Sequence, residues 1–128
     1  MIGIVTARGD ADETCRELLD AARARTGGEY VDPLSMRVDL RETMGIFAGE
    51  RRIEEYEGLV LRGFNRDGEI DLQYEVFELA EMAGVPVVNP PRAVSIAESK
   101  PSTLYLLGRA GIPIPRTVAC QTADVLDE

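Results

Sequence analysis

The 128-residue sequence contains no histidine, which removes every Ser-His and Cys-His catalytic arrangement. Its two cysteines, Cys15 and Cys120, lie far apart and form no Cys-x-x-Cys pair. A zinc site takes about four nitrogen or sulfur ligands, so none can be assembled, and both thiols are expected to be free and buried. Glycine is sparse where phosphate-binding loops need it. The first strand–helix turn holds Gly9 but no Gly-x-Gly-x-x-Gly, and no Gly-x-x-x-x-Gly-Lys-[Ser/Thr] occurs, which argues against a standard dinucleotide or P-loop site. A phosphoacceptor receiver domain would end its third strand in aspartate, whereas Arg62 follows Leu59-Val60-Leu61 here. No apolar run approaches the length of a membrane span. The start, Met1-Ile2-Gly3-Ile4-Val5-Thr6, lacks the basic leader and cleavage site of a signal peptide, so a cytoplasmic protein is expected.

Lysine is nearly absent. Of 14 basic residues Lys100 is the single lysine and the rest are arginine, against 23 acids and a net charge of −9. An acidic chain of this kind does not bind polyanions over a broad face, so nucleic acid is not an expected partner. The lysine-poor, acidic balance suits a salt-adapted or GC-rich source and favours solubility. At 45% hydrophobic and 29% charged the composition is that of a globular domain. A domain of this length buries roughly two-thirds of the surface its unfolded chain exposes.

What is present is an alternation of strands and helices. Residues 2–6 form a short apolar strand. A helix over about 11–25 carries Ala11, Cys15, Leu18, Leu19 and Ala22 on one face and stops at Gly27-Gly28. Tyr30-Val31 is a second strand. Met36, Val38 and Leu40 alternate with Arg37 and Asp39 at strand spacing, and Gly45–Ala48 and Arg51–Ile53 flank Gly49-Glu50, which predicts a small inserted β-hairpin with a type II′ turn. Leu59-Val60-Leu61 is a buried strand, Asn65-Arg66-Asp67-Gly68 a loop, and a helix over about 69–83 is expected to bury Leu72, Val76, Leu79, Ala80 and Ala83. After the strand Val87-Val88, Asn89 is expected to cap a helix with Pro90 at its first position. A further helix covers about 101–110. Thr117–Cys120 reads as a strand, followed by a helix start at Thr122-Ala123-Asp124. The acidic run Glu54-Glu55-Tyr56-Glu57 reads as a solvated face, and Met36, Met44 and Met82 as core or edge fillers. Together these elements imply an α/β fold with a small parallel sheet covered on both faces. Ligands of such sheets sit beyond the carboxyl ends of the strands, which directs attention to Arg8, Arg62 and Asn89.

Three segments carry a resemblance. Val31-Asp32-Pro33-Leu34-Ser35 and Tyr56-Glu57-Gly58-Leu59-Val60-Leu61-Arg62-Gly63 contribute to it. The most specific stretch is Phe77 to Thr117, with Val87-Val88-Asn89-Pro90-Pro91-Arg92-Ala93, Ser99-Lys100, Leu106-Leu107 and Ala110-Gly111-Ile112-Pro113-Ile114-Pro115-Arg116-Thr117. This pattern resembles the RimK-type ATP-grasp ligases, with Ser99 standing where that family often has aspartate. The resemblance implies a Rossmann-like, pre-ATP-grasp domain over 1–115 and the truncated start of an ATP-grasp domain over 116–128. It implies an ATP-dependent carboxylate–amine ligase in which ATP phosphorylates a carboxylate and an amine displaces the phosphate. Glutamate or another amino acid would be joined to a small molecule or a protein tail. ATP and magnesium would serve the full-length enzyme, with the metal ligands and the glycine-rich loop after residue 128, so the chain alone would not catalyse. The rival expectation is a stand-alone α/β binding or subunit-interaction module, and assembly into a homo-oligomer is left open.

Lys100 is the expected nucleotide-binding residue. A cation in a first helical turn opposes the helix dipole by roughly 0.3–1 kcal/mol when exposed, and an anion docked beside it reverses that sign. The other reading is a solvated lysine. Arg62 and Arg8 are expected to grip a substrate carboxylate or phosphate, or else to form structural ion pairs. Asn89 is either a helix cap or a substrate contact. No residue is assigned to catalysis or to a metal.

Overall fold

The computed structural model describes residues 1–41 and 44–122. The chain divides into two compact units, Met1–Pro91 and Arg92–Glu128. The first is built on a four-stranded parallel sheet of β1 (Ile2–Val5), β2 (Gly28–Val31), β6 (Gly58–Leu61) and β7 (Val87–Val88), in the order β2-β1-β6-β7. Between β2 and β6 the chain inserts an antiparallel meander of β3 (Met36–Asp39), β4 (Gly45–Ala48) and β5 (Arg51–Arg52). The helices of this unit are α1 (Glu13–Arg23) and α2 (Ile70–Met82).

Alternation along β1 separates the two faces of the sheet. Ile4 packs with Cys15 and Leu19 of α1, and Ile2, Leu18, Tyr30 and Val60 surround them. Gly3 points the other way. A Cβ there would come within 2.7 Å of Leu59 Cδ2 and 3.1 Å of Tyr56 Cε1, so the backbone must be bare for these side chains to close over it. The α1 crossover runs from β1 to β2 and the α2 crossover from β6 to β7, in opposite directions across the sheet. Right-handed crossovers therefore put α1 and α2 on opposite faces.

The buried stripe of α2 differs from the expected one. Gln73, Val76, Phe77 and Ala80 are buried, a regular i, i+3, i+4, i+7 face, whereas Leu72 is 55% exposed and Ala83 is exposed. The helix is turned so that this stripe meets β7 and the meander strands β3 and β4. Leu72 falls one residue outside it, on the rim of a pocket of about 80 Å³ that it shares with Leu34 and Met36.

The insert is a three-stranded meander in which β3 joins the expected hairpin. Gly49 has φ +59° and, among the described residues, no non-glycine residue has positive φ, which is the glycine-first turn that the β4–β5 spacing predicts. The acidic run after it is not simply solvated. Glu54 pairs with Arg52 at 3.2 Å and Glu55 with Arg51 at 3.0 Å, and Tyr56 is buried with its hydroxyl donated to Glu29. Met44 and Met82 are exposed rather than fillers, because Met44 precedes β4 and Met82 ends α2 on its open side.

Beyond β7 the chain forms α3 (Pro91–Glu98) and α4 (Lys100–Arg109). The helix α3 starts at Pro91, not at Pro90. A residue that precedes proline is pushed out of the helical region, so the second proline of the pair takes the first helical position. No residue of α4 is buried. The expected strand at 117–120 is not formed among the described residues, where it has no ladder partner, and Cys120 is exposed rather than buried. The helix start at 122–124 falls largely outside the described residues.

Candidate functional site

The strand order creates a switch point. From adjacent strands, β1 leads away toward α1 and β6 leads away toward α2, so their loops part at the carboxyl edge, where ligands of such sheets bind. The register aligns Val5 with Leu61, and the Arg62 N–H donates to Val5 O at 3.0 Å, so the pairing continues to the start of the second loop. On the first loop the Arg8 N–H donates to Thr6 Oγ1 at 3.1 Å, and a short 3₁₀ turn over Gly9–Ala11 leads to Asp12. The Asp12 carboxylate caps α1 by accepting the Cys15 N–H at 3.1 Å. That N–H is the main reason the Asp12 carboxyl is held below its ordinary pKa; burial works against it and the positive charge of Arg62 adds a smaller downward push.

Arg8 and Arg62 thus stand at the mouths of neighbouring loops. Both side chains are exposed, and among the described residues neither enters a salt bridge. The arginine ion pairs of the described residues gather in the insert instead, at Arg37, Arg41, Arg51 and Arg52. The structural ion pair expected as the alternative for Arg62 is therefore absent among the described residues. Asn89 follows β7, one strand further along the same edge, and is exposed. With α3 beginning at Pro91, Asn89 lies one residue outside the cap position it was expected to fill.

In the second unit, Lys100 is the first residue of α4. Ser99 is the N-cap and its hydroxyl accepts the Ser102 N–H at 3.3 Å, with Pro101 in the first turn. Lys100 is exposed, and none of the salt bridges among the described residues includes it. The helix N-terminus and the ammonium fit one contact to an oxyanion such as a nucleotide phosphate.

No family model matches the sequence. The chain is 31% identical over 121 residues to the tetrahydromethanopterin:alpha-L-glutamate ligase of Methanosarcina acetivorans, covering 88% of this chain and 37% of that protein. It is 30% identical over 115 residues to a probable alpha-L-glutamate ligase of Sodalis glossinidius, covering 87% of this chain and 38% of that protein. The structure of the ATP-grasp ligase PsnB, complexed with minimal precursor, Mg and ADP, superposes with a TM-score of 0.64 at 27% identity, over 90% of this chain and 44% of that chain. In sequence and fold the chain is similar to ATP-grasp ligases, which supports an N-terminal domain of that kind. It spans little more than a third of the length of the two ligases it matches by sequence.

The mixed α/β architecture is the expected one and fits a pre-ATP-grasp domain. The chain's described residues hold no group of three or more histidine, cysteine, aspartate or glutamate side chains suited to a metal ion. No described helix is long and apolar enough to cross a membrane. Sequence reasoning missed Asp12 and Gln73. Asp12 is recognisable in retrospect as an aspartate just before the first apolar-periodic residue of α1. Gln73 gave no such signal, because a polar residue among helical apolar positions reads as solvent-facing.

Proposed function

We propose that this chain is the substrate-side domain of an ATP-dependent carboxylate–amine ligase that joins glutamate, or another amino acid, to a small molecule or a protein tail by way of an acyl phosphate. The observation that carries the reading is the switch point between β1 and β6, where Arg62 and Arg8 are exposed and, among the described residues, enter no salt bridge, in a chain similar to two named glutamate ligases. Arg62 and Arg8 bind a substrate carboxylate or phosphate in the forked geometry that guanidinium groups favour. Asn89 contributes a further polar contact from the same edge. Lys100 meets a phosphate of ATP at the head of α4. Magnesium, when bound, neutralises phosphate charge, and its ligands lie outside this chain. Residues 1–115 form the pre-ATP-grasp domain and 116–128 open the nucleotide-gripping one. The protein works in the cytoplasm.

Two experiments test this. The purified 128-residue chain is expected to show no ATP-dependent ligation of glutamate to a panel of acceptors, and turnover by it would refute the division of labour. In a protein of the relatives' full length, Lys100→Ala is expected to weaken ATP binding and Arg62→Ala to raise the substrate KM by about 10- to 100-fold, as the loss of a charge-assisted hydrogen bond would. Unchanged values in both variants would remove the assigned roles.

The second reading, a module that binds a partner subunit without catalysis, is favoured by the exposed Tyr105, Leu106, Ile112, Ile114 and Val118. Ligation assays with a protein of the relatives' full length, glutamate and a panel of acceptors separate the two: ATP-dependent turnover favours the ligase domain, and none with any acceptor favours the module.

A further inference from the structure

Gln73 is 6% exposed and lies in the first turns of α2, at a position where the helix otherwise buries apolar side chains. Both ends of its amide are engaged with one residue of the loop that follows β6. Oε1 accepts the Asn65 N–H at 2.9 Å, and Nε2 donates to Asn65 O at 2.8 Å, with a longer contact to Glu69 O at 3.5 Å. The side chain thus pairs with the Asn65 backbone as a neighbouring strand would. The loop is secured on either side of this clamp. The Phe64 ring lies 4.2 Å from that of Tyr74 and 5.8 Å from that of Phe77. The Asn65 side chain accepts the Asp67 N–H at 3.0 Å, and Asn65 O also accepts the Gly68 N–H at 3.2 Å. At its start the loop is held by the bond from Arg62 N–H to Val5 O.

We propose that Gln73 is a positioning residue, fixing the loop of residues 62–68 so that Arg62 is presented to an oxyanion at the switch point. The amide and the Asn65 backbone satisfy one another. A buried amide is costly unless its polar atoms are bonded, and an apolar side chain of similar size would fill the same volume. What the amide adds is a fixed backbone at Asn65, three residues beyond Arg62. A loop already held in its binding geometry loses less freedom when the ligand arrives, so the guanidinium binds more tightly than it would from a mobile loop. The inference rests on the reading of Arg62 as an oxyanion-binding residue.

The test compares wild type, Gln73→Met, Gln73→Glu and Arg62→Ala in the 128-residue chain, with inorganic phosphate as the probe. Gln73→Met keeps the volume and removes both bonds. Gln73→Glu keeps the acceptor for the Asn65 N–H, loses the donor, and serves if the methionine variant does not fold. In Gln73→Met amide exchange at Asn65 is expected to accelerate at least tenfold, and in Gln73→Glu, whose carboxylate still accepts that N–H but faces the Asn65 carbonyl without a donor, by a smaller factor, while the Leu59 amide, bonded to Pro86 O at 2.8 Å in the sheet, keeps its protection. Phosphate affinity, followed by the shift of the Gly63 amide resonance, is expected to fall three- to tenfold in the Gln73 variants and tenfold or more in Arg62→Ala. Unchanged Asn65 exchange overturns the clamp. Affinity lost in Arg62→Ala but kept in the Gln73 variants overturns the positioning role and leaves the ligase reading standing. Affinity indifferent to Arg62→Ala overturns the reading of Arg62 on which both depend.

Discussion

The stretch before Pro91 and the stretch after it hold their structure by different means. In the first, Phe77, Ile4, Ile53 and Leu59 are shut away from solvent and come from elements distant in sequence. In the second, the helices are defined by local chemistry: the Ser99 cap, Pro101 in the first turn, and Gly111 at φ +76° after the last. Several large apolar residues there are exposed, Val118 at 70%, and Val94, Ile96, Leu104 and Leu107 are only partly buried. Capping and helix propensity contribute about a kilocalorie per mole at a time, whereas burial of a large side chain contributes several times that. A segment can therefore have well-formed helices and still add little to the cooperative stability of its neighbour.

The contrast can be broken most directly in the core. Phe77→Ala is expected to cost about 3–5 kcal/mol in urea unfolding, whereas Leu106→Ala, half-exposed on α4, changes the same measurement by less than about 0.5 kcal/mol. Comparable losses would show that α4 shares a core after all. Gly3→Ala, which forces a methyl against Leu59 and Tyr56, is expected to cost about 1–3 kcal/mol. The two caps sharpen the distinction. Asp12→Ala is expected to lower the unfolding midpoint of the whole sheet-bearing unit, while Ser99→Ala accelerates amide exchange in α4 and leaves the sheet protected.

The smallest effect is titrational and belongs to the insert. The Arg41 side chain, and then its backbone N–H, hold the Asp39 carboxyl at a pKa of about 2, below the ordinary 3.8. Because the folded value is the lower one, the pair's stabilisation is complete above the unfolded pKa and is lost as pH falls through about 2. Asp39→Asn should flatten this acid limb of the midpoint-versus-pH curve; an unaltered limb would show that the pair contributes nothing in solution. At the alkaline end the sign reverses. Burial, and then the hydrogen bond to Glu29, raise the Tyr56 pKa, so its contribution is present below about 10 and fades as pH rises beyond that.

Much of this architecture was legible in the residues. Apolar runs bounded by turn signals gave the four parallel strands, the Gly49-Glu50 turn gave the β4–β5 hairpin, and the strand ends pointed to Arg8 and Arg62. The failures share a cause. Periodicity sees which residues are apolar but not what they meet. It placed Leu72 inside and passed over Gln73 because it could not know that a loop backbone would satisfy the amide. It left Tyr56 in solvent because the acids around it looked like a single charged face, when Glu29, on a strand far away in sequence, was waiting for its hydroxyl. It gave 117–120 a strand because β-branched residues suggest one, although a strand exists only beside another.

Glu29 bears on how transferable the meander is. One carboxylate in β2 receives both the Arg51 guanidinium, at 3.1 Å, and the Tyr56 hydroxyl, which lie on either side of the Ile53–Glu55 turn. An engineer who grafts residues 36–52 onto another parallel-sheet scaffold would carry away the arginine and leave the acid behind. The natural cassette for recombination is a discontinuous one that includes Glu29 and Tyr56, and chimaeras cut at the loop ends alone should present the meander at an undefined angle.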